Sequence, residues 1–274
     1  MKNLTCLNLN RWAKAIIKPL FFSILFVTLG ESLFAQTALK ANLLKGENLQ
    51  YDLYYKNGIM IRGGKITLNS HLTNFEGKQA FECKMIAATN NFVDNFYKVR
   101  DTLISYLDTD NLQTLRFWKS ANEGKKYSSI EGGTFTYRNG EIDVYAYKKR
   151  PDKELEEVTL TVKGECTDMV SVAYLIRGLD MRTVSKNKDI PLMLFSGKKK
   201  YDMKLRYKGN ERIKANNDKK YNCLKFVLYV YDKEAFKDQE SMVFWMTDDA
   251  NRIPIQLDTK VKVGTLRGIY NGSR

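Results

Sequence analysis

The stretch from Leu49 to Ile61, LQYDLYYKNGIMI, determines how the rest of the chain is interpreted. Apolar or aromatic residues occupy every second position from Leu49 to Tyr55, which is the period of a strand with one buried face. Asn57-Gly58 follows at once, and an apolar run resumes behind it. Asn-Gly supplies the positive φ angles of a two-residue hairpin turn. This stretch therefore predicts a β-hairpin.

The same alternation recurs through most of the chain. It appears at 81–85, 158–162, 201–207, 253–257 and 261–263, and Asn139-Gly140 separates two further apolar runs. Gly63-Gly64 lies inside a strand pattern and predicts a bulge, whereas Gly132-Gly133 predicts a turn. Alternation of this kind is typical of antiparallel sheets. The chain is therefore predicted to be mostly β, as a single curved antiparallel sheet or an open barrel.

One segment has the spacing of a helix instead. Met169, Val172, Ala173 and Ile176 fall on one helical face, and Gly178 follows where a helix would end. Thr167 or Asp168 is placed to cap its start. We expect one packed helix at about residues 168–178, and the stretch 91–98 is compatible with one or two further helical turns.

The N-terminus predicts export. Residues 1–18 carry lysines and arginine but no acid, residues 20–29 are apolar or hydroxylic, and Ala35 precedes Gln36. This is the pattern of a cleavable signal peptide, since an apolar run of this length is about half of what spans a membrane. An uncleaved anchor is the alternative. We expect a signal peptide at 1–35, a single β-rich domain at 36–274 without a transmembrane segment, and a location in the periplasm or outer envelope of a bacterium.

Charge and cysteine content limit the partners. The formal net charge is +14, and basic clusters stand at 148–150, 198–200 and 216–220. An exported protein seldom meets nucleic acid, so a lipid or an acidic glycan is the expected acidic partner; solubilising lysines are the alternative. Cys83, Cys166 and Cys223 would remain after export, which leaves open whether two of them form a disulfide. The oligomeric state is not determined by the sequence.

Familiar catalytic patterns are missing. His71 is the sole histidine, and the chain has no G-x-S-x-G, Walker, G-x-G-x-x-G or C-x-x-C motif. We therefore assign no catalytic residue, no metal ligand and no cofactor. Asp248-Asp249 could share a proton as a carboxylate pair, but short polar residues between two apolar runs are more typical of a turn.

Three segments carry a resemblance to a known family. They are Gly46-Glu47-Asn48-Leu49-Gln50-Tyr51, the run from Asp168 through Ser171 and Tyr174 to Arg177, and a closing signature turn of Thr247, Asp248, Asp249, Asn251, Arg252 and Pro254. In these segments the chain resembles the exported bacterial domain of unknown function 3108. The resemblance implies an exported, mostly β protein without an established activity, and it supplies no ligand-binding or catalytic residues.

Three hypotheses of function follow. The first is a non-enzymatic envelope protein whose curved sheet, closed by the 168–178 helix, binds a lipid-like amphiphile or a glycan. The second is a carboxylate-dependent hydrolase of envelope polysaccharide, and the third is a purely structural envelope partner. A deep apolar cavity would favour the first, and a carboxylate pair across an open cleft would favour the second.

Overall fold

The computed structural model describes residues 39–125, 127–232 and 237–273, which form fifteen strands and three short helices. The predicted signal peptide at 1–35 lies outside these residues. The helices are α1 (39–45), α2 (Asn91–Tyr97) and α3 (Ser171–Arg177). The strands are β1 (Glu47–Asn57), β2 (Ile59–Phe75), β3 (Lys78–Thr89), β4 (Arg100–Asp108), β5 (Thr114–Glu123), β6 (Tyr127–Arg138), β7 (Glu141–Lys149), β8 (Glu156–Lys163), β9 (Cys166–Asp168), β10 (Asp189–Ser196), β11 (Lys199–Lys214), β12 (Lys220–Asp232), β13 (Lys237–Thr247), β14 (Pro254–Lys260) and β15 (Thr265–Ser273).

All strands belong to one sheet, in the order β8-β7-β6-β5-β4-β3-β2-β1-β15-β14-β13-β12-β11-β10-β9. Neighbouring strands are antiparallel except β9 and β10. The first strand pairs with the last, so the two free edges, β8 and β9, come from the middle of the chain. The mostly β, curved antiparallel fold predicted from the sequence is confirmed.

The sheet curls until its two edges nearly meet, which gives a nearly closed barrel. Lys198, in the turn after β10, forms an ion pair of 2.5 Å with Glu156 at the start of β8. Across the same seam, Phe195 of β10 packs edge-on against Phe135 of β6 with ring centroids 6.1 Å apart. Aromatic contacts of this geometry add to the hydrophobic gain of burial, so the seam is held by packing rather than by a continuous ladder.

At several turns the local sequence determines the backbone conformation. Asn139 and Gly140 have φ of 49° and 81°, and their flanking residues pair, as a two-residue hairpin turn requires. The first hairpin also forms, but Asn57 pairs with Ile59, and the turn is centred on Gly58. The predicted bulge at Gly63-Gly64 is confirmed, because the register with β1 shifts there.

Two turn and strand predictions were wrong. Gly132-Gly133 lies inside β6, where a Cβ on Gly132 would come within 2.6 Å of the Tyr147 hydroxyl. These glycines therefore make room for aromatic rings on neighbouring strands. Val261 and Val263, predicted as strand, lie in the exposed turn between β14 and β15, closed by a 3.3 Å bond from Val261 N to Gly264 O.

The helix α3 fills the space between two core clusters. Val170 and Tyr174 join a cluster that includes Leu49, Tyr51 and Cys83, while Val172 and Ile176 pack against Leu194 and Phe226 on the β10–β13 side. The predicted helix is confirmed but is shorter than 168–178, since Asp168 ends β9 and residues 169–170 form the turn that leads into the helix. The stretch 91–98, compatible with one or two helical turns, forms α2. The helix α1 was not predicted, and its Leu39 and Leu43 are buried in the first cluster.

Candidate functional site

The signature turn after β13 is organised by one carboxylate. Asp249 Oδ1 accepts hydrogen bonds from Thr247 Oγ1 at 2.8 Å and from the backbone N–H groups of Asn251 and Arg252 at 2.9 and 3.1 Å. Thr247 Oγ1 accepts in turn from Ile253 N at 2.9 Å. Arg252 has a φ of 49°, a left-handed conformation that these bonds hold in place. The Asp249 carboxylate therefore stabilises the turn by accepting hydrogen bonds within it.

Asp248 points elsewhere. Its Oδ2 accepts from Asn210 Nδ2 at 2.7 Å, its backbone N–H donates to Asn222 O at 2.9 Å, and its side chain is exposed. Asp248 and Asp249 therefore serve two different neighbours, and neither faces a base or a nucleophile in the hydrogen bonds of the described residues. The geometry fits the turn interpretation of this segment.

The three segments that carry the family resemblance meet at Arg177. The Arg177 guanidinium, at the end of α3, is completely buried and binds both Glu47 oxygens, at 2.7 and 2.8 Å. Its Nη2 also donates to the Asn251 carbonyl oxygen at 3.1 Å. Asn251 Oδ1 further accepts from Asn42 Nδ2 of α1 at 2.9 Å. One guanidinium therefore joins β1, α3 and the signature turn.

The surroundings of this ion pair are apolar and aromatic. The Tyr174 ring lies under the guanidinium with 5.3 Å between the ring centroid and Cζ, an arrangement that favours the cation. Burial opposes the charge of Arg177, but the hydrogen bonds and charge of Glu47 prevail, and the pKa of Arg177 is raised above its usual value. Burial raises the pKa of the Tyr51 and Tyr174 hydroxyls well above their usual range. Arg177 therefore stays charged, and the Tyr51 and Tyr174 hydroxyls stay neutral, at ordinary pH. Such groups can hold segments of the fold together but are poorly suited to proton transfer.

A second buried polar group precedes α3. Asp168 Oδ1 accepts from Ser105 Oγ at 2.6 Å and from the N–H groups of Val170 and Ser171 at 2.8 and 3.2 Å, and its Oδ2 accepts from Ser171 Oγ. Burial raises the pKa of Asp168, and these donors oppose that rise. Ser105 belongs to β4, so Asp168 ties the start of α3 across to the N-terminal half of the sheet.

The three cysteines are free thiols inside the barrel wall. Cys83, Cys166 and Cys223 are all buried and unpaired with one another. Burial raises the pKa of Cys166 and of Cys223 to about 12 and raises that of Cys83 further. Thiolates are the reactive form of cysteine, so these three groups act as small apolar side chains. The disulfide alternative left open by the sequence is not adopted.

Two carboxylates that sequence reasoning missed come together where β4 begins and β5 ends. Burial raises the pKa of half-buried Asp101 to about 6, with a further contribution from the charge of Glu123, while the Asn122 N–H, 3.0 Å from Asp101 Oδ1, opposes the rise. Antiparallel pairing brings these residues together although they are 22 positions apart in the chain. Neither stands in a recognisable motif, so no local signal could have identified the pair.

Small cavities are present among the described residues of the interior. Two small cavities have volumes of about 10 and 60 Å³; the larger is lined by polar groups that include Thr114, Tyr137 and Ser171. Sites for drug-sized molecules measure roughly 300–1,000 Å³, so neither cavity could enclose a lipid. Within the described ranges, no three His, Cys, Asp or Glu side chains group as metal ligands, and no helix is long and apolar enough to cross a membrane.

Comparison with known proteins bears on family and fold. A search of curated proteins found no match. Among solved structures, the chain is similar to a beta-barrel-like protein of domain of unknown function DUF1849 from Brucella abortus, with a TM-score of 0.59 and 13% identity over 84% of this chain and 97% of that chain. At this identity the likeness shows the fold alone. The family model for the protein of unknown function DUF3108 matches residues 50–269. The chain therefore belongs to the DUF3108 family.

Proposed function

We propose that this chain is a non-enzymatic binding protein of the bacterial envelope, delivered by the signal peptide at 1–35, which engages an acidic amphiphile or glycan at its outer surface. The observation that carries the proposal is the contrast between a filled interior and a strongly basic exterior. Core side chains and α3 occupy the barrel, and residues 36–274, which remain after cleavage, carry 41 Lys and Arg against 30 Asp and Glu, a net charge of +11. Positive surfaces attract acidic partners through long-range fields.

The outer surface, rather than the concave face, is favoured by the packing of α3. A helix that closed a ligand cavity as a mobile lid would be only partly packed in the empty protein. Ile176 and Tyr174 are instead completely buried, and Arg177 is tied to two other segments. This modifies the first hypothesis drawn from the sequence, because the ligand stays outside the barrel.

Two measurements test the proposal. Cell fractionation followed by N-terminal sequencing should find the protein in the envelope, beginning at or near Gln36; recovery of an intact Met1 from the cytoplasm would contradict export. Native mass spectrometry of protein purified from its own envelope, with binding to vesicles and to acidic polysaccharide measured separately, tests the ligand class. Absence of binding to both would overturn the binding function and favour a structural partner.

The hydrolase alternative has one observation in its favour, which is the Asp101–Glu123 pair. A carboxyl group with a pKa of about 6 can donate a proton near neutral pH, and a neighbouring carboxylate is the usual companion in glycoside hydrolysis. Release of reducing sugar from envelope polysaccharide, abolished by Asp101→Asn and retained by Asp248→Asn, would support this alternative over binding alone.

A further inference from the structure

Apolar side chains are concentrated on the surface of one end of the barrel, the end that carries α2. Phe96 and Phe92 of α2 are 75% and 64% exposed, with ring centroids 5.7 Å apart. In the β1–β2 hairpin Ile59 is 70% exposed, and in the β14–β15 turn Val263 is 61% exposed. We call this surface the α2 rim and define it as Ile59, Met60, Ile61, Phe92, Phe96 and Val263, all of which are exposed.

Backbone and side-chain contacts bring these segments together. Asn90 caps α2 and fastens it to β2, because its N–H donates to Gly63 O at 2.8 Å and its Nδ2 donates to Arg62 O at 2.9 Å. The Tyr55 hydroxyl donates to Val263 O at 3.1 Å, which joins the first hairpin to the β14–β15 turn. These bonds hold α2, the first hairpin and the β14–β15 turn in fixed positions at the same end of the barrel.

Cations flank the apolar groups. Lys56, Lys98 and Lys262 stand beside the rim segments, are exposed, and form no ion pair within the described part of the chain. The basic clusters at 148–150 and 198–200 lie at the same end, although Lys148, Lys198 and Lys200 are neutralised by acidic neighbours. Asp94, the acid within α2, is paired with Arg100 at 2.5 Å.

We propose that the α2 rim docks the protein on the surface of a lipid bilayer that carries anionic headgroups. The inference rests on the proposed function and names its partner. Exposed aromatic and aliphatic side chains enter the boundary between headgroups and acyl chains, and flanking lysines meet the anionic surface. A bilayer is favoured over a single small anion because the rim combines exposed apolar side chains from three segments with an exposed lysine close in sequence to each segment. Large exposed apolar patches mark interaction sites.

The experiment is co-sedimentation of the exported protein with vesicles of phosphatidylcholine alone or mixed equally with phosphatidylglycerol. The rim variant is Phe92→Ser with Phe96→Ser, and its matched control is Leu44→Ser, which changes a 57% exposed apolar residue of α1 at the opposite end. The charge variant is Lys56→Glu, Lys98→Glu and Lys262→Glu, and its control reverses three exposed lysines at the opposite end, Lys78→Glu, Lys219→Glu and Lys220→Glu. Thermal melts verify that each variant is folded.

We expect partitioning onto the phosphatidylglycerol vesicles at least about tenfold stronger than onto phosphatidylcholine, and a loss of at least about tenfold in both rim variants but in neither control. Equal binding by all variants would overturn the rim as the site. Binding to acidic polysaccharide without binding to vesicles would overturn the bilayer while leaving the proposed function intact. A dimer that dissociates in the Phe92→Ser, Phe96→Ser variant would assign the rim to a second copy of this chain instead.

Discussion

The two ends of the barrel are built in opposite ways. At the α3 end a helix is packed inside the sheet, and a buried guanidinium ties it to β1 and to the signature turn. At the α2 end a helix of the same length lies on the outside and has no buried residue. A seven-residue helix is too short to be stable alone, so α3 depends on its packing and α2 on its cap and its contact with β2. The comparison separates residues that maintain the fold from residues free to meet a partner.

The largest difference between the ends is expected from a carboxylate placed in each. Ile176→Asp should prevent folding, because an unpaired charge in the core is very costly, and Ile176→Ala should cost about 2–5 kcal/mol of unfolding free energy. Ile59→Asp, at the exposed end, should fold with stability close to that of the unchanged protein. Thermal melts of the three variants test this. A folded Ile176→Asp protein with little change in Tm would identify α3 as a detachable lid.

Removal of one partner of the buried ion pair is expected to have the next largest effect. Glu47→Ala leaves the Arg177 guanidinium buried and unpaired, which should cost roughly 3–5 kcal/mol in urea unfolding. The control is Glu141→Ala, whose exposed pair with Lys163 at 3.1 Å should contribute at most about 1 kcal/mol. Replacing both partners, as Glu47→Leu with Arg177→Met, should recover much of the loss. Equal effects of the two single variants would contradict the structural role of the pair.

The signature turn allows a finer comparison within the α3 end. Asp249→Ala removes an acceptor of three hydrogen bonds and should lower the free energy of unfolding by about 1–2 kcal/mol. Asp248→Ala removes one exposed bond and should cost no more than about 0.5 kcal/mol. Urea titration of both variants distinguishes them. Full stability in both, together with loss of a measured activity, would make the turn interpretation untenable.

The α2 end should show a pH dependence that comes from Asp101. The pKa of Asp101 is about 6 in the fold against an ordinary value of 3.8, so the native state binds this proton more tightly than the unfolded state. The free energy of unfolding therefore falls as the pH rises from about 4 to 6, because Asp101 must give up its proton in the fold at a cost that the unfolded chain does not bear. Asp101→Asn should stabilise the protein at pH 8 by about 1 kcal/mol, allowing for the exposure of this half-buried group. The difference should vanish near pH 4, and a gain that does not change with pH would contradict the raised pKa.

The smallest effect is expected at the rim itself. Phe96→Ser should change the free energy of unfolding by no more than about 0.5 kcal/mol, because the ring is 75% exposed and surface substitutions rarely do more. Val170→Ser, at a buried position beside α3, provides the contrast and should be clearly destabilising. A large loss of stability in Phe96→Ser would show that the ring serves the fold rather than a partner.

The sequence by itself determined the class of the fold and many of its local details. Two-residue alternation depends on the geometry of a single strand, and so β1, β3 and β11 were predicted correctly. The hairpin turn at Asn139-Gly140 and the bulge at Gly63-Gly64 follow from backbone preferences of the residues concerned. The spacing of Val172 and Ile176 predicted α3 for the same reason. All these features rest on interactions between residues close in the chain.

Only the tertiary structure shows how the strands and helices are joined into the barrel. The pairing of β1 with β15, the seam between Phe135 and Phe195, and the Glu47–Arg177 pair join residues far apart in the chain, and no local preference reports such contacts. The glycines of β6 were misread as a turn because the rings that lie over them come from other strands. Phe96 and Ile176 are both apolar residues in short helices, and the sequence does not distinguish them. Only the path of the folded chain places Ile176 in the core and Phe96 on the surface.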